Sequence, residues 1–231
     1  MTSNDAGSDS RIDTVLLDLD GTLVDSVYQH TTAWRAAFRD VGVDVASHRI
    51  HRSIGMGGDR LVAAVAGESV ENAVGDEVRA RHKERLDERF HEIVATDGAA
   101  ELLEELRTRG FTLVLASSAD KELSERLLDL VEGGASLLHD RVAGGDADES
   151  KPAPDLVEVA LGSVDPQHAV MLGDTVWDVE SAGRAGVACL GMHTGGISTA
   201  ELVEAGAASV HDTPRDLLDH LDETLLGRSR G

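Results

Sequence analysis

Two aspartates, one residue apart, close an apolar run in Val15-Leu16-Leu17-Asp18-Leu19-Asp20-Gly21-Thr22-Leu23-Val24-Asp25-Ser26. Successive strand residues point to opposite faces, so Asp18 and Asp20 point the same way if the strand holds that far. Two carboxylates side by side repel each other. At the mouth of a buried strand they read as a cation site with a nucleophile built in: Asp18 as nucleophile, Asp20 as general acid and base, a magnesium ion between them. A turn alone would explain Asp20-Gly21-Thr22, because aspartate and glycine are common in turns, but it would leave Asp18 as an unpaired acid in an apolar run.

Three further segments carry polar groups where strands should end. Phe111–Ala116 runs into Ser117 and Ser118, whose hydroxyls and backbone N–H groups suit a phosphate oxygen. A serine there also serves as the cap of a helix starting near Ala119. Lys151 precedes Pro152-Ala153-Pro154 in a chain with only three lysines, and its compact ammonium is a partner for phosphate or carboxylate. Val170-Met171-Leu172-Gly173 leads to Asp174, with Asp178 one helical turn on. Acids at a helix start are favourable through capping and the dipole, yet like charges four residues apart need a cation or lysine between them.

Positioning these groups takes a sheet. Apolar runs at Thr14–Leu19, Phe111–Ala116, Arg141–Ala143, His168–Leu172, Val187–Leu190 and Ala208–Val210 alternate with helical patterns. Those patterns cover Gly98–Arg109, Lys121–Val131, Pro154–Leu161, Thr175–Ala185 and Pro214–Leu226. Such alternation predicts an α/β protein with a Rossmann-like parallel sheet and helices on both faces. The gap between the first two strands is too long for one crossover. Helical periodicity at Val27–Val41 and Ser69–Val94 fills it, so a small helical domain is inserted over residues 26–96. The core then comprises residues 13–25 and 97–226, with residues 1–12 and 227–231 as flexible ends; the first ten, polar and without an apolar stretch, are no signal peptide.

Composition narrows the function classes. The 43 acidic residues outweigh 21 lysines and arginines, giving a net charge of -22. That balance disfavours a nucleic-acid binder, which needs a basic face. It suits a protein working in concentrated salt, where at ~1 M the Debye length shrinks to about 3 Å and self-repulsion is screened; an ordinary acidic cytosolic protein is the plainer alternative. Cys189 is the only cysteine, so no intrachain disulfide forms. No segment approaches the ~20 apolar residues of a membrane span. A soluble cytoplasmic protein, monomer or homodimer, is expected.

In the order Asp-x-Asp, Ser, Lys, Asp-x-x-x-Asp, the four segments resemble the motifs of the haloacid dehalogenase-like hydrolase superfamily, from about Thr14 to the end of the chain. The resemblance implies that Asp18 attacks phosphorus to form an aspartyl-phosphate, and that Asp20 protonates the leaving oxygen and then activates water. It implies magnesium held by the Asp18 carboxylate, the Asp20 backbone carbonyl and Asp174. Asp178 would support the metal's water shell or Lys151, Gly21 and Thr22 would shape the turn, and Ser117, Ser118 and Lys151 would hold phosphoryl oxygens. The helical insert has the place of a C1-type cap over the site, with His51–Arg60 as its specificity loop; there Gly55 permits close approach, and Arg52 or Arg60 meets an anionic substrate group or lies on the surface. Trp34, Phe38 and Trp177 read as packing.

Within the superfamily, dehalogenases replace the second aspartate, which this chain keeps as Asp20. Phosphonatases use a cap lysine, and here Lys83, the insert's one lysine, sits in a highly charged helix. Phosphomutases often carry Glu-Asp where this chain has Gly173-Asp174. The expectation is a phosphatase resembling phosphoglycolate phosphatase, acting on a small phosphorylated metabolite such as phosphoglycolate or a sugar phosphate. The alternatives are β-phosphoglucomutase-like phosphoryl transfer and a non-catalytic binding protein.

Overall fold

The apolar run that ends in the two aspartates becomes the central strand of the molecule. In the computed structural model, which describes residues 11–227, β1 spans Thr14–Leu17, and Val15, Leu16 and Leu17 are fully buried. A two-residue strand, β2 (Val24–Asp25), leads into four helices: α1 (Val27–Asp40), α2 (Ser47–His51), α3 (Gly58–Ala66) and α4 (Glu68–Asp87). The chain returns through β3 (Val94–Ala95), which pairs antiparallel with β2.

Beyond β3 the chain alternates strand and helix. In order it runs α5 (Ala99–Thr108), β4 (Thr112–Ala116), α6 (Lys121–Leu128), α7 (Gly134–Leu137), β5 (Asp140–Val142) and α8 (Asp155–Leu161). Then come β6 (Ala169–Gly173), α9 (Val176–Arg184), β7 (Ala188–Met192), α10 (Thr199–Ala205), β8 (Ser209–His211) and α11 (Pro214–Asp219). Six strands form one parallel sheet in the order β5-β4-β1-β6-β7-β8. Leu17 stands opposite Leu115 on one side and Leu172 on the other. The strand ends that carry Asp18, Ser117 and Asp174 are therefore neighbours.

Strand residues alternate between two apolar layers, because successive side chains face opposite ways. Leu17, Leu115 and Leu172 pack with Leu102 and Leu106 of α5 and Leu217 of α11. Leu16, Val114 and Met171 pack with Leu156 of α8 and Val179 of α9. Helices cover both faces, which is why these strands read as unbroken apolar runs. The four-helix segment has its own cluster, including Trp34, Phe38, Ile50, Leu61 and Val78, while Ala33 and Leu86 join the sheet's first layer.

The elements differ from the sequence pattern at several ends. The first strand stops at Leu17 rather than Leu19, since Leu19 turns back to accept from the amides of Leu23 and Val24. The helix expected over Ser69–Val94 ends at Asp87, and the one expected over Pro214–Leu226 ends at Asp219, with a 3-10 turn at Leu221–Glu223. Helix α10 has no evident pattern in the sequence; its start, Ser198 capping Glu201, is a reciprocal capping box that offsets a weak apolar stripe. Ile12 already packs on the first layer, whereas the expected lead-in over residues 1–10 and the tail after Gly227 lie outside the described residues. No helix among the described residues is long and apolar enough to cross a membrane.

Candidate active site

Asp18 sits one residue past β1, its amide still donating to the Leu172 carbonyl at 3.0 Å. The ladder thus delivers the carboxylate to the edge of the buried sheet. Its Oδ1 accepts from Lys151 Nζ at 2.5 Å. The same ammonium lies 2.7 Å from Asp178 Oδ1. Lys151 is 0% exposed, and a charge so buried needs compensation on the spot. Burial opposes its charged form, yet Asp178 and Asp18 together hold its pKa above the ordinary lysine value.

Asp178 is used twice, as a helix cap and beside Lys151. Its Oδ2 accepts from the backbone amide of Thr175 at 3.1 Å and from the Thr175 hydroxyl at 2.6 Å, closing a capping box at the start of α9. Its other oxygen is left for Lys151. Asp174, just before the cap, is fully buried. One hydrogen on the Thr22 hydroxyl serves two carboxylates, with Asp174 Oδ1 at 3.1 Å and Asp18 Oδ2 at 3.3 Å. Asp174 Oδ2 has no hydrogen-bond partner among the described residues. Gly21, at φ +83°, lies against that oxygen, where any side-chain carbon would overlap it; glycine is needed there for conformation and for space.

Three buried acids thus share one ammonium. Side-chain oxygens of Asp18, Asp174 and Asp178 all lie within 4.8 Å of one another. Burial, with Asp178 pushing the same way, raises Asp18 to about 7 against the pull of Lys151. Burial and the neighbouring Asp178 and Asp18 raise Asp174 well above the ordinary range. An orphaned buried oxygen in an all-carboxylate set, two positive charges short, fits a hard divalent cation with oxygen ligands.

Asp20 departs from its expected direction. Because the strand ends early, its side chain turns from Asp18's partners toward the helices. Its Oδ1 accepts from Ser26 Oγ at 2.6 Å and lies 2.9 Å from His30 Nε2. Burial pushes its pKa up, but His30, the Ser26 hydroxyl and Lys151 overcome that and hold it below the usual carboxylate value. His30 Nδ1 lies 3.1 Å from His82 Nε2 on α4, and His82 stacks on Trp34 with ring centroids 3.9 Å apart. Burial and the neighbouring His30 push His82 well below the ordinary imidazole value.

Sequence reasoning missed Ser26, His30 and His82, and read Trp34 only as packing. His30 was findable as a polar residue on the first turn after the Asp20 loop, on the side facing it. Nothing local joins it to His82, fifty-two positions away.

The remaining expected residues divide. Ser117 is buried at the end of β4 and its Oγ accepts from the Ala119 amide at 3.2 Å. The following helix is capped by Asp120, not by a serine. Ser118 Oγ donates to the Gly55 carbonyl at 3.2 Å. Gly55, at φ +99°, rests on Thr175, where a side chain would collide. Arg52 pairs with Glu201 and Arg60 pairs with Glu149, so the arginines fasten the His51–Arg60 loop to the sheet half. Trp177 Nε1 donates to the Arg52 carbonyl at 3.0 Å, a tie rather than packing alone. His51 Nε2 lies 3.0 Å from the Gly195 carbonyl.

Between the strand ends and the four helices lies a cavity of about 510 Å³. Asp18 and Asp20 form its floor, and Trp34, Arg79 and His82 are in its roof.

Residues 12–186 match the model of the haloacid dehalogenase-like hydrolase family, and residues 149–224 match a second HAD-hydrolase-like model. A phosphoglycolate phosphatase of Aquifex aeolicus is 32% identical over 74% of this chain and 80% of its own length. An N-acetylmuramic acid 6-phosphate phosphatase of Pseudomonas aeruginosa is 30% identical over 93% of this chain and 97% of its own. Among solved structures, a hydrolase from Pseudomonas syringae superposes with a TM-score of 0.86 at 32% identity, covering 91% of this chain and 98% of that one.

Proposed function

The chain belongs to the haloacid dehalogenase-like hydrolases, and from that premise we propose that it is a magnesium-dependent phosphatase of small organic phosphate monoesters, working through an aspartyl-phosphate. The observation that carries the reading is the buried set at the floor: Lys151 Nζ between Asp18 and Asp178, with Asp174 Oδ2 unpartnered beside them. The phosphatase names of the relatives support it.

Asp18 attacks phosphorus while the bond to the leaving oxygen breaks, and the alkoxide takes a proton from Asp20. In the second half Asp20 removes a proton from water, which attacks the aspartyl-phosphate and frees Asp18 and phosphate. Asp20 rests as a carboxylate, the base form. An arriving phosphate dianion raises its pKa by like-charge repulsion, and His30 is the neighbour placed to trade a proton with it. Lys151 neutralises charge on the phosphoryl oxygens and keeps Asp18 aimed; the Ser117 hydroxyl and the Ser118 amide lie at the strand end to receive them. Asp18, Asp174 and the Asp20 backbone carbonyl would hold magnesium, with Asp178 in support. When bound, that ion supplies the missing positive charge and polarises a phosphoryl oxygen. The four-helix segment over residues 26–96 acts as the cap, closing water out of the cavity.

Asp18→Asn should lose turnover of p-nitrophenyl phosphate by ~10⁴-fold or more; substantial residual activity sinks the mechanism. The acid-rich surface is read as an adaptation to salt, in the cytoplasm. Thermal unfolding should move to higher temperature between dilute buffer and molar KCl, and an unmoved midpoint rejects that reading.

A further inference from the structure

Three cations reach the cavity above the floor, and each is already neutralised. Arg79 donates to both oxygens of Glu71 at 2.9 and 3.0 Å and to Asp76 at 2.7 Å. Lys83 Nζ lies 2.7 Å from Glu122, with Asp120 and Asp87 also facing it. Arg126 donates to Asp87 at 2.7 Å and covers the Phe90 ring at 4.2 Å. Asp59 and Asp148 line the same wall, and neither has an ion-pair partner among the described residues. The exposed pairs of Lys83 and Arg126 open cheaply, but Asp59, Asp87, Asp120, Asp148 and Glu149 line the wall with them, so no net positive charge appears.

A phosphorylated carboxylic acid brings a second anion that must face this wall once its phosphoryl group is seated at the floor. Nothing there compensates it, and an unpaired charge in a closing site is costly. Alcohol hydroxyls, by contrast, donate to carboxylates, and Asp59 and Asp148 supply acceptors. Ile54, Met56 and Leu61 give the same wall an apolar surface for ring carbons. The cavity falls within the ~300–1,000 Å³ typical of sites that enclose drug-sized molecules, well beyond a two-carbon ester.

Resting on the phosphatase reading above, we propose that the substrate is the phosphate monoester of a carboxylate-free polyol of hexose size or larger, and that phosphoglycolate is a poor substrate.

The test compares kcat/KM, with magnesium, for phosphoglycolate, a panel of hexose and aminohexose monophosphates, and p-nitrophenyl phosphate. The best polyol ester should exceed phosphoglycolate by about tenfold or more, within the range that one unsatisfied polar group costs. Phosphoglycolate equal to or better than every polyol ester overturns the inference while leaving the phosphatase standing. No turnover of any ester, p-nitrophenyl phosphate included, removes the phosphatase reading and this inference with it. A double variant, Glu71→Gln with Asp76→Asn, frees Arg79 and should raise phosphoglycolate turnover relative to p-nitrophenyl phosphate by several-fold. If it does not fold, Asp87→Asn frees Arg126 to the same end. An unchanged ratio in the folded variant overturns the argument from charge.

Discussion

The floor and the roof of the cavity both carry opposite charges in contact, yet they are built in different ways. At the floor, Lys151 and its acids are buried, short of water and fixed by strand ends and a helix cap. At the roof, Lys83 and Arg126 sit on long stems at the surface, with side chains 50% and 36% exposed. Removing one charge from the first kind of network strands the others without solvent; removing one from the second lets water take its place. On the proposed reading, the floor determines whether a reaction occurs, and the roof determines on what. Chemistry is held by geometry that cannot relax, selectivity by charges that can.

The sharpest way to break this contrast is Lys151→Met, which leaves three buried acids without their ammonium. Turnover of p-nitrophenyl phosphate should fall by ~10²–10³, as when a donor to developing charge is removed, and the thermal midpoint should drop, with magnesium recovering part of it. Near-normal activity would place the lysine among the dispensable charges. His30→Ala tests the boundary between the two regions. Without His30, burial dominates at Asp20 and its pKa rises, so the acid limb of kcat, on which Asp20 must be a carboxylate to take the proton of water, should move to higher pH with a loss of about tenfold in rate. An unmoved limb means His30 only packs. The smallest effect belongs to Arg60→Ala, which unties an exposed pair. KM should change by less than about threefold with kcat unaltered; a collapse of kcat would show the fastening of that loop to be part of the catalytic step.

The same contrast explains what could be read in the chain. Asp18 and Asp174 were legible because a parallel sheet forces chemistry to its strand ends, and apolar runs mark those ends plainly; Lys151, well past the end of β5, stood out as one of three lysines, just before Pro152-Ala153-Pro154. For Asp178 capping and the support of Lys151 were each legible, while the division of one carboxylate between them, one oxygen for each, came only with the fold. Asp20 shows the limit of period-two reasoning: the run Leu17–Leu19 looks like continuing strand, but the turn hydrogen bonds to Leu19 end it and send Asp20 toward Ser26 and His30. Arg52 and Arg60 show the limit for surface charge. Each could reach a substrate or a glutamate, and which one it meets depends on how the loop folds over Glu149 and Glu201. The pairing of His30 with His82 had no local signature, because α2, α3 and their connecting loops lie between them.

The central place of β1 has a consequence for how the protein is made. Its two sheet neighbours are β4 and β6, and β6 follows it by about 150 residues. At ~5–20 residues per second, a ribosome leaves Val15, Leu16 and Leu17 without their second partner for roughly eight to thirty seconds. An apolar strand with a bare edge is a template for sticking to other nascent chains. Asp13, Asp18 and Asp20 bracket it with negative charge throughout that wait, acting as gatekeepers against aggregation before any of them has a site to serve. The proposed nucleophile and proton carrier thus guard, during synthesis, the strand that carries them.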